Sequence, residues 1–432
     1  MKIIYIFLIV GIITDATGDI SYNYSSYKST KINYPHAVDY TYNRYENLLI
    51  QNNEDSSVLL FYKGDGLYNP NEFNLNNTFL YKNGKSNKLS DTFSYCINSA
   101  VLDSSYRVKL YNSFINTTGE GSIALCSTDR GSLSASNTII TTVSSNSYGL
   151  HAVNGGSASA SGSTIQTFGD NSPALSAKKS SEVSCSNCKL YTYGKGSPLV
   201  DTKGNCWLTN TTGYAEKSQG IIIDEKVEVQ ILSGSSLKFS GAGSSTDSSD
   251  ACGILIKNTS DGNVYDQGTS TDYTNIRISS ASLEMTSETS PLILVDGAHT
   301  YIYINMESTI KSKIFLKIKN TSSKTDIMIV SSEVEGDIIA DEKADINLNI
   351  QGSSKFKGAI NPDGKAGFVN VFIAEGATVT LTGDSNVDEY YNSDQTKKNV
   401  ITNGFKLDPE EDSSLGLLSS KVMLLLIACL VF

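Results

Sequence analysis

The chain is poor in the residues that most active sites and nucleic-acid surfaces use. Its 432 residues include one Trp, three His and only four Arg, and the net charge is −11. The histidines, His36, His151 and His299, are scattered, and we expect His151 to be exposed in a turn-like segment. Few arginines and a negative charge argue against nucleic acid as a partner. The sequence predicts no cofactor, no metal site and no Ser-His-Asp constellation.

Long hydrophobic runs are also missing, except at the two ends. Residues 1–18 combine Lys2, an apolar run and the small residues Ala16 and Gly18, which is typical of a secretory signal peptide. The run is too short to span a bilayer. The alternative, a buried strand of the mature fold, does not suit its position at the extreme N-terminus.

The C-terminal end resembles a second processing signal. Small residues are followed by a spacer and by the apolar tail 422–432, which is the pattern of glycosylphosphatidylinositol (GPI) attachment. The candidate attachment residues are Asp412, Ser413 and Ser414. A buried terminal strand and a short true anchor are the alternatives. We expect the extracellular face of the plasma membrane, or secretion, with the membrane as a partner through the lipid.

What the chain does have is a repeat of 25 residues between about 97 and 196. Several chemically distinct columns keep the same phase, which stacked structural units explain. The columns are Ser122, Ser147, Ser172 and Ser197; Leu125, Leu150, Leu175 and Val200; Ile115, Ile140, Ile165 and Leu190; Thr117, Thr142, Thr167 and Thr192; and Gly119, Ser144, Gly169 and Gly194.

Each unit alternates short period-2 runs with Gly, Asn, Asp and Ser, which predicts strands and turns. We therefore predict an all-β fold, a parallel β-solenoid of roughly a dozen coils with strands about 4.8 Å apart. Apolar columns should lie inside, and Ser and Thr columns outside or at turns. Helical repeats are disfavoured because frequent glycine costs about 1 kcal/mol per helical position.

The segment 155–172, with its Gly-Gly-Ser-Ala-Ser-Ala-Ser-Gly-Ser-Thr-Ile-Gln-Thr-Phe-Gly-Asp-Asn-Ser pattern, resembles the right-handed parallel β-helices of the pectin-lyase-like superfamily. It is most similar to the adhesin-like and autotransporter-passenger-like surface proteins. The clear match covers residues 97–196, and a weaker one extends to about 385. The resemblance implies fold more than function, because the superfamily contains both polysaccharide enzymes and surface proteins.

Three functions fit this resemblance. A non-catalytic, GPI-anchored adhesin-like or coat protein is favoured, with extracellular glycans or a neighbouring cell surface as further partners. A carbohydrate-binding β-helix would show an exposed row of Tyr along one face. A polysaccharide lyase or hydrolase would show carboxylates, or carboxylates with Lys or Arg, converging in a groove. The chain lacks an Asp-Asp pair, Gly-His-Gly and Arg-Ile-Lys, and only Arg277-Ile278-Ser279 is similar to the last.

Six cysteines remain when Cys429 is assigned to the tail, and an even number behind a signal peptide favours disulfides. They are Cys96, Cys126, Cys185, Cys188, Cys206 and Cys252. Cys96 with Cys126 is one candidate pair, and Cys188 with Cys185, or either of them with Cys206, is another. A zinc half-site or redox motif at Cys185-x-x-Cys188 is less favoured.

Six sequons make candidate N-glycosylation sites in a secreted chain. They begin at Asn23, Asn76, Asn116, Asn210, Asn258 and Asn320.

The remaining regions complete the predicted organisation. Residues 19–95, with eleven of the 24 Tyr, form an N-terminal cap and irregular first coils, or alternatively a glycan-binding surface. The β-helix covers 96–385, an acidic stalk 386–413, and the removed signal 414–432. The Asp-rich segment 242–275 reads as a loop extruded from the solenoid, with calcium binding as the alternative that its spacing does not match.

Overall fold

The chain folds into a parallel β-solenoid of about 11 turns. The computed structural model describes residues 28–29, 36–37, 44–46, 48–53, 55, 57–62, 72–104, 106–243, 248–257, 273–319, 324–341 and 343–408. A coil of the regular part has three strands, one in each of three sheets, and each strand pairs in parallel with its equivalent in the neighbouring coils. The predicted all-β solenoid is confirmed.

Strands are numbered in chain order. The first sheet has 14 strands. They are β3 (Arg44–Glu46), β6 (Phe73–Asn76), β9 (Arg107–Tyr111), β12 (Ser132–Ser136), β15 (Ser157–Ser161), β18 (Glu182–Ser186), β21 (Asn205–Thr209), β24 (Glu228–Leu232), β27 (Thr274–Ser279), β30 (Thr300–Asn305), β32 (Lys324–Val330), β34 (Asp345–Gln351), β36 (Phe368–Ile373) and β39 (Glu389–Asn392).

The second sheet follows the first after a tight corner. Its strands are β1 (Lys28–Ser29), β4 (Leu48–Asn52), β7 (Phe79–Lys82), β10 (Phe114–Thr117), β13 (Ile139–Thr142), β16 (Thr164–Thr167), β19 (Lys189–Thr192), β22 (Thr212–Ala215), β25 (Ser236–Phe239), β28 (Ser282–Met285), β31 (Thr309–Lys319), β33 (Glu333–Ala340), β35 (Lys355–Lys357), β37 (Thr378–Thr380) and β40 (Val400–Ile401).

The third sheet completes each coil, and β31 and β33 run from the second sheet into it. Its own strands are β2 (His36–Ala37), β5 (Leu59–Tyr62), β8 (Ser99–Ser104), β11 (Ile123–Thr128), β14 (Leu150–Ala152), β17 (Leu175–Ala177), β20 (Val200–Thr202), β23 (Ile221–Asp224), β26 (Ile254–Lys257) and β29 (Ile293–Asp296). A separate pair, β38 (Ser385–Asn386) and β41 (Leu407–Asp408), lies near the C-terminal end. Helix α1 (Leu89–Tyr95) and a 3-10 turn (Ser248–Asp250) are the helices of the described residues.

The apolar columns of the repeat lie inside the solenoid, as predicted. Ile140 pairs in register with Ile115 and Ile165, and Leu150 pairs with Leu125 and Leu175. All six side chains are fully buried. Stacking identical side chains on successive coils fills the interior without gaps, so the 25-residue period is a packing requirement.

The threonine column lies inside the solenoid, which corrects the expectation that it lies outside or at turns, whereas the serine column lies at a turn, as expected, and is buried. Thr142 is one of four fully buried threonines that point inward from the second sheet. Ser147 lies at the corner between the second and third sheets, where its hydroxyl accepts from the Ser122 N–H (3.2 Å) and donates to the Gly119 carbonyl (3.0 Å). Its own N–H donates to the Ser172 hydroxyl (3.0 Å), so this serine column ties successive coils together.

The glycine column has a steric cause. A Cβ on Gly169 would lie 2.0 Å from the carbonyl oxygen of Ser144, and one on Gly194 would lie 1.9 Å from that of Gly169. Consecutive coils approach too closely at this corner for a side chain in those positions.

Two predicted boundaries change. Residues 386–408 were expected to be a solvated stalk, but β39 to β41 pair with preceding coils there, so the solenoid continues to 408. In the expected loop 242–275, residues 254–257 form a strand of the third sheet, while Asp247, Asp261, Asp266 and Asp272 lie outside the described residues. In the segment expected to hold the cap and the irregular first coils, the strands from 44 to 82 pair as coils.

Candidate functional site

The outer face of the third sheet brings four reactive residue types into one column. Cys126, His151, Ser176 and Asp201 face outward from consecutive coils and pair in register. His151 and Ser176 are fully buried, so the expectation that His151 is exposed is wrong. The sequence carried the signal, because these four residues are spaced by the same 25 residues as the core columns.

The geometry of this column is that of a structural contact. His151 Nε2 lies 2.9 Å from the Phe93 carbonyl, so the neutral ring carries its proton there, since a carbonyl only accepts. Burial lowers the pKa of His151 to about 4. Among the described residues, the Ser176 hydroxyl has no hydrogen-bond partner, whereas an activated serine requires a hydrogen bond to its base. Burial also raises the pKa of the Asp201 carboxyl, and Lys178 opposes that shift.

Helix α1 is fastened over this column. A disulfide joins Cys96, the residue after the helix, to Cys126. The Phe93 ring stacks on Tyr148 with centroids 4.6 Å apart, and Asn154 donates to the Ser94 carbonyl (3.2 Å). The bridge that the sequence suggested between these two cysteines is therefore present, and it fixes the helix to a neighbouring coil.

The other four cysteines are free and buried, so the structure does not contain the disulfides suggested for them. Register separates Cys206 from Cys185, because Cys206 pairs with Val183 and Cys185 pairs with Leu208. Cys188 points its thiol at the carbonyls of Ala160 and Ser186, and the hydrogen bond from Cys185 lowers the pKa of Cys188. Cys252 packs with Leu255 and Leu294. No group of three metal-ligating side chains occurs in the part of the chain that the structure describes.

The outer face of the first sheet carries aromatic and amide side chains in one row. In register, this outer row runs Trp207, Gln230, Arg277, Tyr303, Met328, Asn349, Phe372, Tyr391. It is a mixed row, where a carbohydrate-binding β-helix was expected to show a row of Tyr. Sequence reasoning missed it because the coils here differ in length.

Most rings of the outer row are already occupied by neighbours. Phe372 stacks on Tyr391 with centroids 5.3 Å apart, and the Arg277 guanidinium lies 5.7 Å from the centroid of Tyr303. Trp207, the single tryptophan of the chain, has no ring partner among the described residues and is half-buried between Ser184 and Gln230 in its row. Its indole is therefore an aromatic surface of this face that no other described ring covers.

A groove of about 550 Å³ adjoins the Trp207 strand at the corner between the third and first sheets. We call it the Lys–Glu groove; it is lined by 155–157, 179–182, 203–205 and 225–227 on four successive coils. Glu225, on the last of these coils, has one carboxylate oxygen 3.6 Å from Lys179 Nζ and the other 3.9 Å from Lys203 Nζ. Lys203 also pairs with Asp224 at 3.0 Å, and this contact raises the pKa of Lys203.

The predicted sequons differ in exposure. Asn210 is exposed at the corner after the first sheet, where its amide donates to Asn187 Oδ1 (2.6 Å). Asn76 is half-buried and accepts from Asn112, and Asn116 is buried. The other candidates lie outside the described residues, as do the GPI attachment candidates; they are Asn23, Asn258, Asn320, Asp412, Ser413 and Ser414.

Across the described residues, no helix has the length and apolar character that a bilayer crossing requires. No family model, no curated protein and no solved structure matches this chain.

Proposed function

We propose that the chain is a non-catalytic, GPI-anchored surface protein of adhesin-like or coat type, built on a β-helix of the pectin-lyase-like superfamily. The observation that carries the proposal is the first sheet, whose 14 strands present one long face of outward side chains. Such a face suits contact with an extended partner. The two terminal signals in the sequence support display outside the cell.

The charged groups favour binding over turnover. Glu182 and Glu228 occupy one outward column of the first sheet two coils apart, with about 10 Å between their backbones, so they do not form the close carboxyl pair of a retaining glycosidase, about 5–5.5 Å. Glu182 is also turned toward the preceding coil by the Ser157 hydroxyl (2.8 Å).

A polysaccharide lyase is the second candidate, because the Lys–Glu groove brings lysines and carboxylates together. A catalytic base works best with a pKa near the working pH. The hydrogen bond with Asp224 raises the pKa of Lys203, away from the working pH, so this lysine stays protonated. Purified protein that released unsaturated or reducing sugars from polygalacturonate would replace the binding proposal with this one.

The anchor is tested on cells that express the full chain. We expect phosphatidylinositol-specific phospholipase C to release the protein into the medium, because only the lipid would hold it. Replacing Asp412, Ser413 and Ser414 together by Leu should abolish surface display, since attachment requires small residues. Protein that stays on treated cells would contradict the GPI anchor.

Glycan occupancy gives an independent test of passage through the secretory pathway. We expect Asn210 to be modified and Asn116 to be unmodified, because a glycan on a side chain that is 6% exposed has no room. Peptide mass spectrometry after glycosidase treatment in heavy-oxygen water distinguishes the two. A glycan at Asn116 with none at Asn210 would contradict this assignment.

A further inference from the structure

We propose that the Lys–Glu groove, together with Trp207, binds a short neutral oligosaccharide. This rests on the proposed binding function and names its ligand class. The groove volume lies within the range of small-ligand sites, about 300–1,000 Å³. Its four coils span about 14 Å along the solenoid axis, which suits a few linked sugar rings.

The charges select a neutral ligand. Lys179, Lys203 and Lys226 are matched by Glu182, Glu225 and the adjacent Asp224, so the site has no excess charge. An anionic ligand would have to displace Glu225 from two lysines. A sugar needs both donors and acceptors for its neighbouring hydroxyls, and paired Lys and Glu side chains offer both at fixed positions.

Trp207 supplies the apolar part of the site. Asn205 lines the groove, and Trp207 faces the same side of β21 two residues later, about 7 Å away. An indole without a ring partner can stack against the C–H face of a sugar. The groove is otherwise lined by polar residues and glycine, with Val227 as the exception, which does not fit the apolar centre of a protein interface.

The backbone at Glu225 supports a functional origin for this arrangement. Glu225 has φ of 94°, a region that residues other than glycine rarely adopt. Strain of this kind persists where the surrounding structure imposes it, and it concentrates at ligand sites. Here it holds the carboxylate between Lys179 and Lys203.

The test uses Trp207 as its own reporter, since the chain has no other tryptophan. The purified full chain is titrated with hexaoses of glucose, mannose, galactose, xylose and N-acetylglucosamine. We expect at least one to change the tryptophan emission saturably. Glu225→Gln should weaken that binding about tenfold, the loss of one charged hydrogen-bond partner. The matched control is Glu333→Gln, which breaks an exposed ion pair with Lys355 on the second sheet and should leave binding unchanged.

A second variant guards against misfolding. Glu225→Gly relieves the backbone strain, so it should raise the melting temperature by about 1–2 °C while losing binding. Calorimetry with Trp207→Ala should show the same loss without relying on fluorescence.

The opposing outcomes are distinct. Four results would each overturn the oligosaccharide site. They are no response to any hexaose, equal affinity of Glu225→Gln and wild type for the hexaose, tighter binding of polygalacturonate or inorganic phosphate than of any hexaose, and tryptophan emission that changes with protein concentration alone. Cell adhesion that persists in Glu225→Gln would leave the adhesin function standing without this site. If the protein binds the sugar but neither adheres to cells nor reaches their surface, the oligosaccharide site stands and the adhesin function fails.

Discussion

Phe239→Ala is expected to destabilise the protein by about 3–5 kcal/mol, the cost of a large cavity in a packed interior. Phe239 is fully buried at the end of β25. Its ring fills the space left by two glycines, because a Cβ on Gly220 would lie 1.9 Å from it and one on Gly253 would lie 2.8 Å from it. On the two neighbouring coils, the residues in register with Phe239 are Ala215 and Met285, so the phenyl ring is the largest side chain of the three.

This complementarity makes a double-mutant cycle informative. Gly220→Ala alone should cost about 1–3 kcal/mol through overpacking, and the pair Gly220→Ala with Phe239→Ala should cost less than the sum, because the new methyl occupies part of the cavity. Gly220→Ala with Phe356→Ala, several coils away, should be additive. Urea denaturation measures each term. Additive losses in the first pair would mean that ring and glycine do not share one space.

The core could be predicted from the sequence where the coils have one length, and not where their lengths differ. Ile140 and Leu150 could be assigned to the core because their coils have one length, so period and register coincide. After Val200 the coils differ in length. The register between these coils therefore cannot be read from a fixed period in the sequence. This register pairs Gly213 with Leu237 and places Gly220 against Phe239.

The candidate sites were hidden for two different reasons. His151 follows the 25-residue period and was expected to be exposed in a turn-like segment, but α1 from outside the repeat, together with Tyr148, covers its ring. Trp207 pairs in register with Gln230, 23 residues later, and Gln230 pairs with Arg277, 47 residues later. These intervals depend on the lengths of the intervening turns. Sequence patterns predict which face a residue occupies, whereas what covers that face is a tertiary property.

The pH dependence of stability should change sign between two single variants. Burial raises the pKa of Asp103 from 3.8 to about 7, although the Tyr106 N–H donates to it (3.1 Å). Folding therefore favours the protonated carboxyl. The unfolded chain releases this proton above pH 4, so the stability that Asp103 contributes is present at pH 4 and lost by about pH 7. The loss amounts to roughly 4 kcal/mol.

His151 acts in the opposite direction. Its pKa falls from 6.5 to about 4 on burial, so folding favours the neutral ring. The unfolded chain binds a proton as pH drops below 6.5, and the folded chain does not until about pH 4. Stability from His151 is thus present above pH 6.5 and decreases by roughly 3 kcal/mol as the pH falls to 4. In the wild type these two effects nearly cancel between pH 4 and 7.

Replacing either Asp103 or His151 should therefore reveal the pH dependence of stability that the remaining side chain causes. The free energy of unfolding of Asp103→Asn should rise between pH 4 and 7 relative to wild type, and that of His151→Gln should fall, while the double variant should again parallel the wild type. Urea denaturation at intervals of pH, with each variant compared with wild type at the same pH, cancels the titration of all other groups. Curves for both single variants that run parallel to wild type would mean that neither side chain titrates differently in the folded and unfolded chain. His151 also holds α1 through the Phe93 carbonyl, so protonation of His151 at acid pH should reduce the hydrogen-exchange protection of the α1 amides. Asp103 accepts from the Tyr106 N–H instead, so its titration should leave the protection of the α1 amides unchanged.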